Sequence, residues 1–156
     1  MEIKAEQVMI PIEEYPIIFE NDSIENAAKI LIEQYQTKDC SWQGYESLLV
    51  LNNLHRKVGF LTLRCILKAM ELNDISTVYH NLWHIFADKI KVASDLSVKT
   101  LMRPLNISYI KATDDVEQAI RIIMKNNSNS VFVRNKEELV GIIRVIDILW
   151  YLEELV

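Results

Sequence analysis

Residues 21–34 read NDSIENAAKILIEQ and residues 113–126 read TDDVEQAIRIIMKN. Asp22 and Asp114, Ala27 and Ala119, and Leu31 and Ile123 each stand 92 positions apart. A separate match, Val8-Met9 against Leu101-Met102, has an offset of 93. Two unconnected stretches therefore agree that one structural unit is written twice.

The quoted stretches predict amphipathic helices. Ile24, Ala27, Ala28, Leu31 and Ile32 recur at spacings of three and four, as do Val116, Ala119, Ile120 and Ile123, so each helix has an apolar face. Ser23 and Asp115 stand where an N-cap or first-turn acid belongs. Before each helix comes a short turn of helix ending in Met and then an apolar strand, PIIF at 16–19 and ISYI at 107–110. After it come two brief strands, SLLVLNN then KVGFLTL in one copy and SVFVRN then LVGIIR in the other. A last helix closes each copy, Leu63 to Leu72 and Val145 to Leu155.

Gly59 and Gly141 are only 82 apart, so the first copy carries about ten extra residues, TKDCSWQGYE at 37–46. The predicted organisation is a first motif over 1–72 with that insert, a helical linker over 73–96 and a second motif over 97–156. Each motif runs β-α-β-β-α, giving an α+β (α/β) fold of two pseudo-symmetric halves. A unit this small buries too little of its sheet alone, so the two are expected to pack through their small sheets.

Composition narrows the function. Half of the 156 residues are apolar and 25% are charged, as in an ordinary globular domain with a packed core. A net charge of -5 leaves no basic cluster to displace counterions, which argues against nucleic acid as a partner. No run approaches the roughly 20 apolar residues of a membrane span, and no basic start precedes an apolar stretch, so the cytoplasm is the expected compartment. Cys40 and Cys65 are expected as reduced thiols there.

Taken in order, VM and LM, NDSIENAAKIL and TDDVEQAIRII, and VGFLTLRCIL and VGIIRVIDIL resemble a tandem pair of CBS (cystathionine β-synthase) domains, the arrangement called a Bateman module. The resemblance runs from about Ala5 to Leu152. It implies a non-catalytic regulatory module with no cofactor of its own, binding AMP, ADP, ATP or S-adenosylmethionine in clefts between the motifs. It also implies a disc-like homodimer that reports the bound state to an effector protein.

The family's ligand signature is Gly, apolar residues, Ser or Thr, two residues, then Asp. A carboxylate can accept from both hydroxyls of a ribose, a hydroxyl and helix-start N–H groups suit phosphate, and glycine admits the ligand to the backbone. The same pattern also describes a helix cap. The first copy keeps Gly59 and Thr62 but has Cys65 in place of the acid. The second keeps Gly141 and Asp147 but has Arg144 in place of the hydroxyl.

Arg144 either clamps a phosphate or pairs with Asp147 one turn away and fills the site. The expected ligand residues are Asp147, Arg144, Gly141, Ser130 and Asn129, with Thr62 in a weaker cleft. The competing expectation is an interaction module with empty or self-filled clefts.

The linker stretch STVYHNLWHIFADKI at 76–90 reads as a helix, with His80, His84 and Asp88 along one side. Ligands strung over two turns diverge, so a solvated face is preferred and no metal is expected. Trp42 and Tyr45 in the insert are expected to tuck over the core. With three glycines and three histidines outside any nucleophile arrangement, no catalytic residue is assigned.

Overall fold

The fold was analysed in a computed structural model, which describes residues 2–36, 45–69, 91, 95–105 and 108–155. Cys40, Trp42, the stretch 76–90 and its His80, His84 and Asp88 lie outside the described residues. Helices and strands are numbered over the described residues.

The chain divides into two compact units, Met1–Tyr15 with Asn106–Val156, and Pro16–Leu105. Sequence equivalence and compactness therefore part company: the leading segment of each repeat belongs to the unit built from the other repeat. The fold is mixed α and β, with one small sheet in each unit.

In the unit of residues 16–105, β2 (Ile17–Phe19) pairs parallel with β3 (Ser47–Leu51), which pairs antiparallel with β4 (Lys57–Thr62). Among the described residues its helices are α2 (Ile24–Gln36), α3 (Leu63–Ala69) and the short α4 (Val98–Leu101). In the other unit, β5 (Tyr109–Lys111) pairs parallel with β6 (Ser130–Asn135), and β6 antiparallel with β7 (Glu138–Arg144). Helices α5 (Val116–Asn126) and α6 (Val145–Leu155) belong here, together with α1 (Ala5–Val8) and β1 (Ile10–Pro11).

β1 is a strand that the apolar pattern did not announce. It pairs antiparallel with β7, Ile10 opposite Ile142 and Pro11 opposite Gly141, making the sheet order β1-β7-β6-β5. Its counterpart is a single bridge in the other unit, where Phe60 and Arg103 exchange two backbone hydrogen bonds of 2.8 Å.

The exchanged segments are fixed by the same bonds in both units. Ala5 N–H donates to the Asp114 carbonyl at 2.8 Å and Val116 N–H to that of Ile3 at 2.8 Å. Val98 N–H donates to the Asp22 carbonyl at 2.8 Å and Ile24 N–H to that of Leu96 at 2.9 Å. These partners are the pairs that the offsets of 92 and 93 make equivalent. Lys4 adds an ion pair to Asp115 at 2.8 Å and to Glu2 at 2.9 Å. Those hydrogen bonds, the one to Asp115 first, raise the Lys4 pKa above the ordinary lysine range.

The core is likewise written twice. Ile18, Ala27, Leu31, Leu48, Val50, Leu61, Ile66 and Val98 form one buried cluster. Ile110, Ala119, Ile123, Val131, Val133, Ile143, Ile148 and Ala5 occupy the equivalent places in the other. Apolar positions recur because each sheet must cover one face with its own two long helices.

Ile32 and Ile120, expected on the buried faces of α2 and α5, are exposed. The apolar stripe of each helix is wider than the strip its own unit covers. Tyr45 is buried, in line with a role for the insert's end in covering the core.

Glycine at 59 and 141 answers to close packing. Both residues have ordinary negative φ, since no described glycine has a positive one. A Cβ at Gly59 would meet the Met102 sulfur at 2.5 Å and the Arg103 carbonyl at 2.9 Å. One at Gly141 would meet the Met9 Cγ at 2.8 Å and the Ile10 carbonyl at 2.9 Å. Each exchanged segment thus lays a methionine into the space that glycine leaves.

Candidate functional site

The candidate site lies where β7 ends and α6 begins. β6 starts at Ser130, and its register sets Ser130 opposite Arg144, the last residue of β7. Val145 N–H, at the first turn of α6, donates to the Asn129 carbonyl at 3.0 Å. Asp147 follows one turn in. Strand pairing and helix start thereby bring Asn129, Ser130, Arg144 and Asp147 together within one unit, with Gly141 three residues back in the same strand.

Asp147 accepts three hydrogen bonds, all from Arg144. Its Oδ2 receives the Arg144 backbone N–H at 2.9 Å and Nε at 3.0 Å, and its Oδ1 receives Nη2 at 2.7 Å. The guanidinium meets the carboxylate edge to edge, the strongest geometry open to such a pair. Their side chains retain only 15% and 14% exposure, so water screens the pair far less than it would on an open surface. Of the two fates open to Arg144 in the sequence, the structure holds the pairing with Asp147.

Thr62 belongs to the other unit, where the same elements give a neutral arrangement. Ser47 faces Thr62 across β3 and β4, and Leu63 N–H donates to the Glu46 carbonyl at 3.0 Å. Thr62 Oγ1 accepts the Cys65 N–H at 3.1 Å and donates its hydrogen to the Cys65 sulfur at 3.1 Å.

Together the two helix starts divide a capping box between them. Thr62 supplies the forward bond, from the side chain before the helix to the third N–H within it. Asp147 supplies the reverse bond, from the third residue back to the N–H before the helix. Glu46 and Ser47 are the counterparts of Asn129 and Ser130 that sequence reading passed over. The insert shifts the offset from 92 to 83 across this point and hides the alignment.

Among the described residues, no cluster of three His, Cys, Asp or Glu side chains could hold a metal ion. Among the same residues, no helix is long and apolar enough to cross a membrane. Every buried side-chain nitrogen or oxygen described has a hydrogen-bond partner.

The CBS domain family profile matches the sequence twice, over residues 5–72 and 98–154. No curated protein sequence matches the chain. Among solved structures, an uncharacterized conserved protein from Pyrococcus horikoshii superposes with a TM-score of 0.69 at 16% identity, over 97% of this chain and 92% of that one. The structure of CBSX2 in complex with AMP gives 0.66 at 16% identity over 97% of both chains. A CBS domain-containing protein of unknown function from Bacillus anthracis gives 0.64 at 19% identity over 99% and 95%. At such identities the structures speak for the fold alone, while the paired family matches cover most of the sequence: the chain belongs to the CBS domain family and carries a tandem pair of CBS domains.

Proposed function

We propose that the protein is a non-catalytic, cytoplasmic regulatory module that binds an adenosine-containing ligand at the α6 start and passes the state to an effector protein. One observation carries this reading: a carboxylate able to grip a ribose diol and a guanidinium able to grip a phosphate meet at a single strand-to-helix turn. The AMP held by CBSX2, a structural relative, agrees with it.

Thermal unfolding with AMP, ADP, ATP or S-adenosylmethionine tests the proposal. A ligand at 100 times its Kd adds about 2.7 kcal/mol, a rise of several degrees in a domain of this size. Asp147→Ala is expected to abolish that rise. A rise that persists in Asp147→Ala would move the ligand elsewhere.

A second reading has an observation of its own. Three bonds from Arg144 already occupy Asp147, as they would in an interaction module whose site is filled by its own side chains. Failure of every adenosine compound to shift the midpoint would favour it.

We further propose a homodimer through the helix faces that each unit leaves bare. Ile32 and Met124, Leu63 and Val145, and Leu67 and Leu149 are repeat-equivalent pairs, and all six side chains are exposed. Apolar side chains left bare at matched positions fit a recurring interface better than chance scatter. Leu149→Asp is expected to halve the mass measured by light scattering while leaving the circular dichroism spectrum intact. An unchanged mass would place the dimer contact on another face.

A further inference from the structure

We infer that Met9 and Met102 are reversible oxidation sites: hydrogen peroxide, by converting either thioether to a sulfoxide, frees the segment that carries it from the sheet it covers. This response to an oxidant does not depend on which ligand the Asp147 turn takes.

The two methionines hold one position written twice. Each ends the short helix of a leading segment, Met9 N–H donating to the Ala5 carbonyl and Met102 N–H to that of Val98, both at 2.9 Å. Each lies along a glycine of the sheet that its segment joins. A Cβ on Gly59 would meet the Met102 sulfur at 2.5 Å and its Cγ at 3.0 Å, and one on Gly141 would meet the Met9 sulfur and, at 2.8 Å, its Cγ. Both side chains are partly buried against the core cluster of their unit. One residue beyond each methionine come the bonds that fasten the segment, the pairing of Ile10 with Ile142 and the two hydrogen bonds between Phe60 and Arg103.

The gap beside each glycine takes a slim, unbranched thioether. A sulfoxide adds an oxygen and makes the side chain polar. Directed at the glycine, that oxygen would need space in which even a Cβ is too close. Directed at the core, it would be a buried polar group among side chains that offer no hydrogen bond. Turned to water, it draws the sulfur out and leaves the gap empty. In every case the contact between methionine and glycine is lost next to the bonds that hold the segment.

The chemistry needs only peroxide and the side chain. The sulfur attacks one peroxide oxygen, a sulfur–oxygen bond forms and the oxygen–oxygen bond breaks. The sulfur is oxidised by two electrons, the peroxide is reduced, and its second oxygen leaves as water with both hydrogens. Methionine sulfoxide reductase returns the thioether with two electrons from thiols.

Met124 is a control within the same chain. It is 75% exposed on α5 and belongs to neither leading segment, so it should oxidise first and leave both segments bound.

Graded treatment of the unaltered protein with hydrogen peroxide tests the inference, followed by peptide mass mapping and by amide exchange at Ala5, Glu6, Val98 and Lys99. Those amides donate to the carbonyls of Asp114, Ala112, Asp22 and Glu20, the bonds that a freed segment gives up. Sulfoxide at Met124 alone is expected to leave them protected. Sulfoxide at Met9 is expected to speed exchange at Ala5 and Glu6 at least about tenfold, and sulfoxide at Met102 to do the same at Val98 and Lys99. Dithiothreitol alone, which reduces disulfides and sulfenic acids, is expected to leave the segments loose. Methionine sulfoxide reductase with dithiothreitol is expected to restore them. The double variant Met9→Leu, Met102→Leu, close to the original volume, is expected to stay protected under the same treatment.

Unchanged exchange with Met9 and Met102 oxidised overturns the inference, and so does failure of both to oxidise while the protein stays folded. Loosening that dithiothreitol alone reverses, or that persists in the double leucine variant, belongs to another group and overturns it as well. The reductase arm uses the unaltered protein and decides the question even if the variant fails to fold.

Discussion

Gly141→Val is expected to cost about 3 kcal/mol of folding free energy, the upper part of the range for overpacking, and to loosen residues 1–15 from their sheet. The flexible Met9 side chain can swing aside from a new Cβ. The Ile10 carbonyl at 2.9 Å is backbone and cannot move without taking β1 off β7. Valine also adds two methyl groups that have nowhere to go in a buried strand.

Gly141→Ala should cost less, since the lost freedom of the unfolded chain returns roughly 0.4–1 kcal/mol. Adding Met9→Ala should recover part of the Gly141→Ala cost and leave the share due to the carbonyl. Urea denaturation gives the free energies, and amide exchange at Ala5 and Glu6 reports the release of the segment. Full stability of Gly141→Val would mean that the methionine-filled gap is not a fixed feature of the fold.

Ile143→Ala is expected to be as damaging, at about 3 to 4 kcal/mol, within the range for emptying a buried aliphatic site. Ile143 is fully buried in β7, paired with Val131 and packed in the cluster that includes Ala5 and Val8. With β6 on one side and β1 on the other, the strand has little room to collapse into the cavity. Leu61→Ala, the equivalent change in the other unit, removes a side chain with the same burial and should cost a similar amount. A loss under about 1 kcal/mol at either position would contradict the tight packing of that core.

The repeat was legible because packing and backbone bonding share its period. The offset that aligns Ala27 with Ala119 also aligns Ile18 with Ile110, and together with the offset of 93 between the leading segments it aligns the bond from Val98 to Asp22 with that from Ala5 to Asp114. What the offset leaves out is which copy each leading segment packs on. A self-comparison ranks residues by equivalence, and Met9 is equivalent to Met102 whichever glycine it lies against.

β1 was hidden for a related reason. Two residues, one of them proline, carry no alternating pattern, and only the bonds to β7 make them a strand. At the site, the spacing of Arg144 and Asp147 allowed both a pair and a clamp. Deciding between them took distances, because three-residue spacing at a helix start brings the two charges into reach whatever else they do.

The crossed segments also set an order of events during synthesis. Residues 16–105 form one uninterrupted unit, whose parts have all emerged before residue 106 is added to the chain. Residues 1–15 are made before that unit, yet what they pack on is made after it. Until residues 106–156 follow, Ile10 and the apolar side of α1 have no sheet to join, and a chaperone or a neighbouring nascent chain could engage them in the interval. A stretch translated ahead of residues 16–105 thus finds its place only after them.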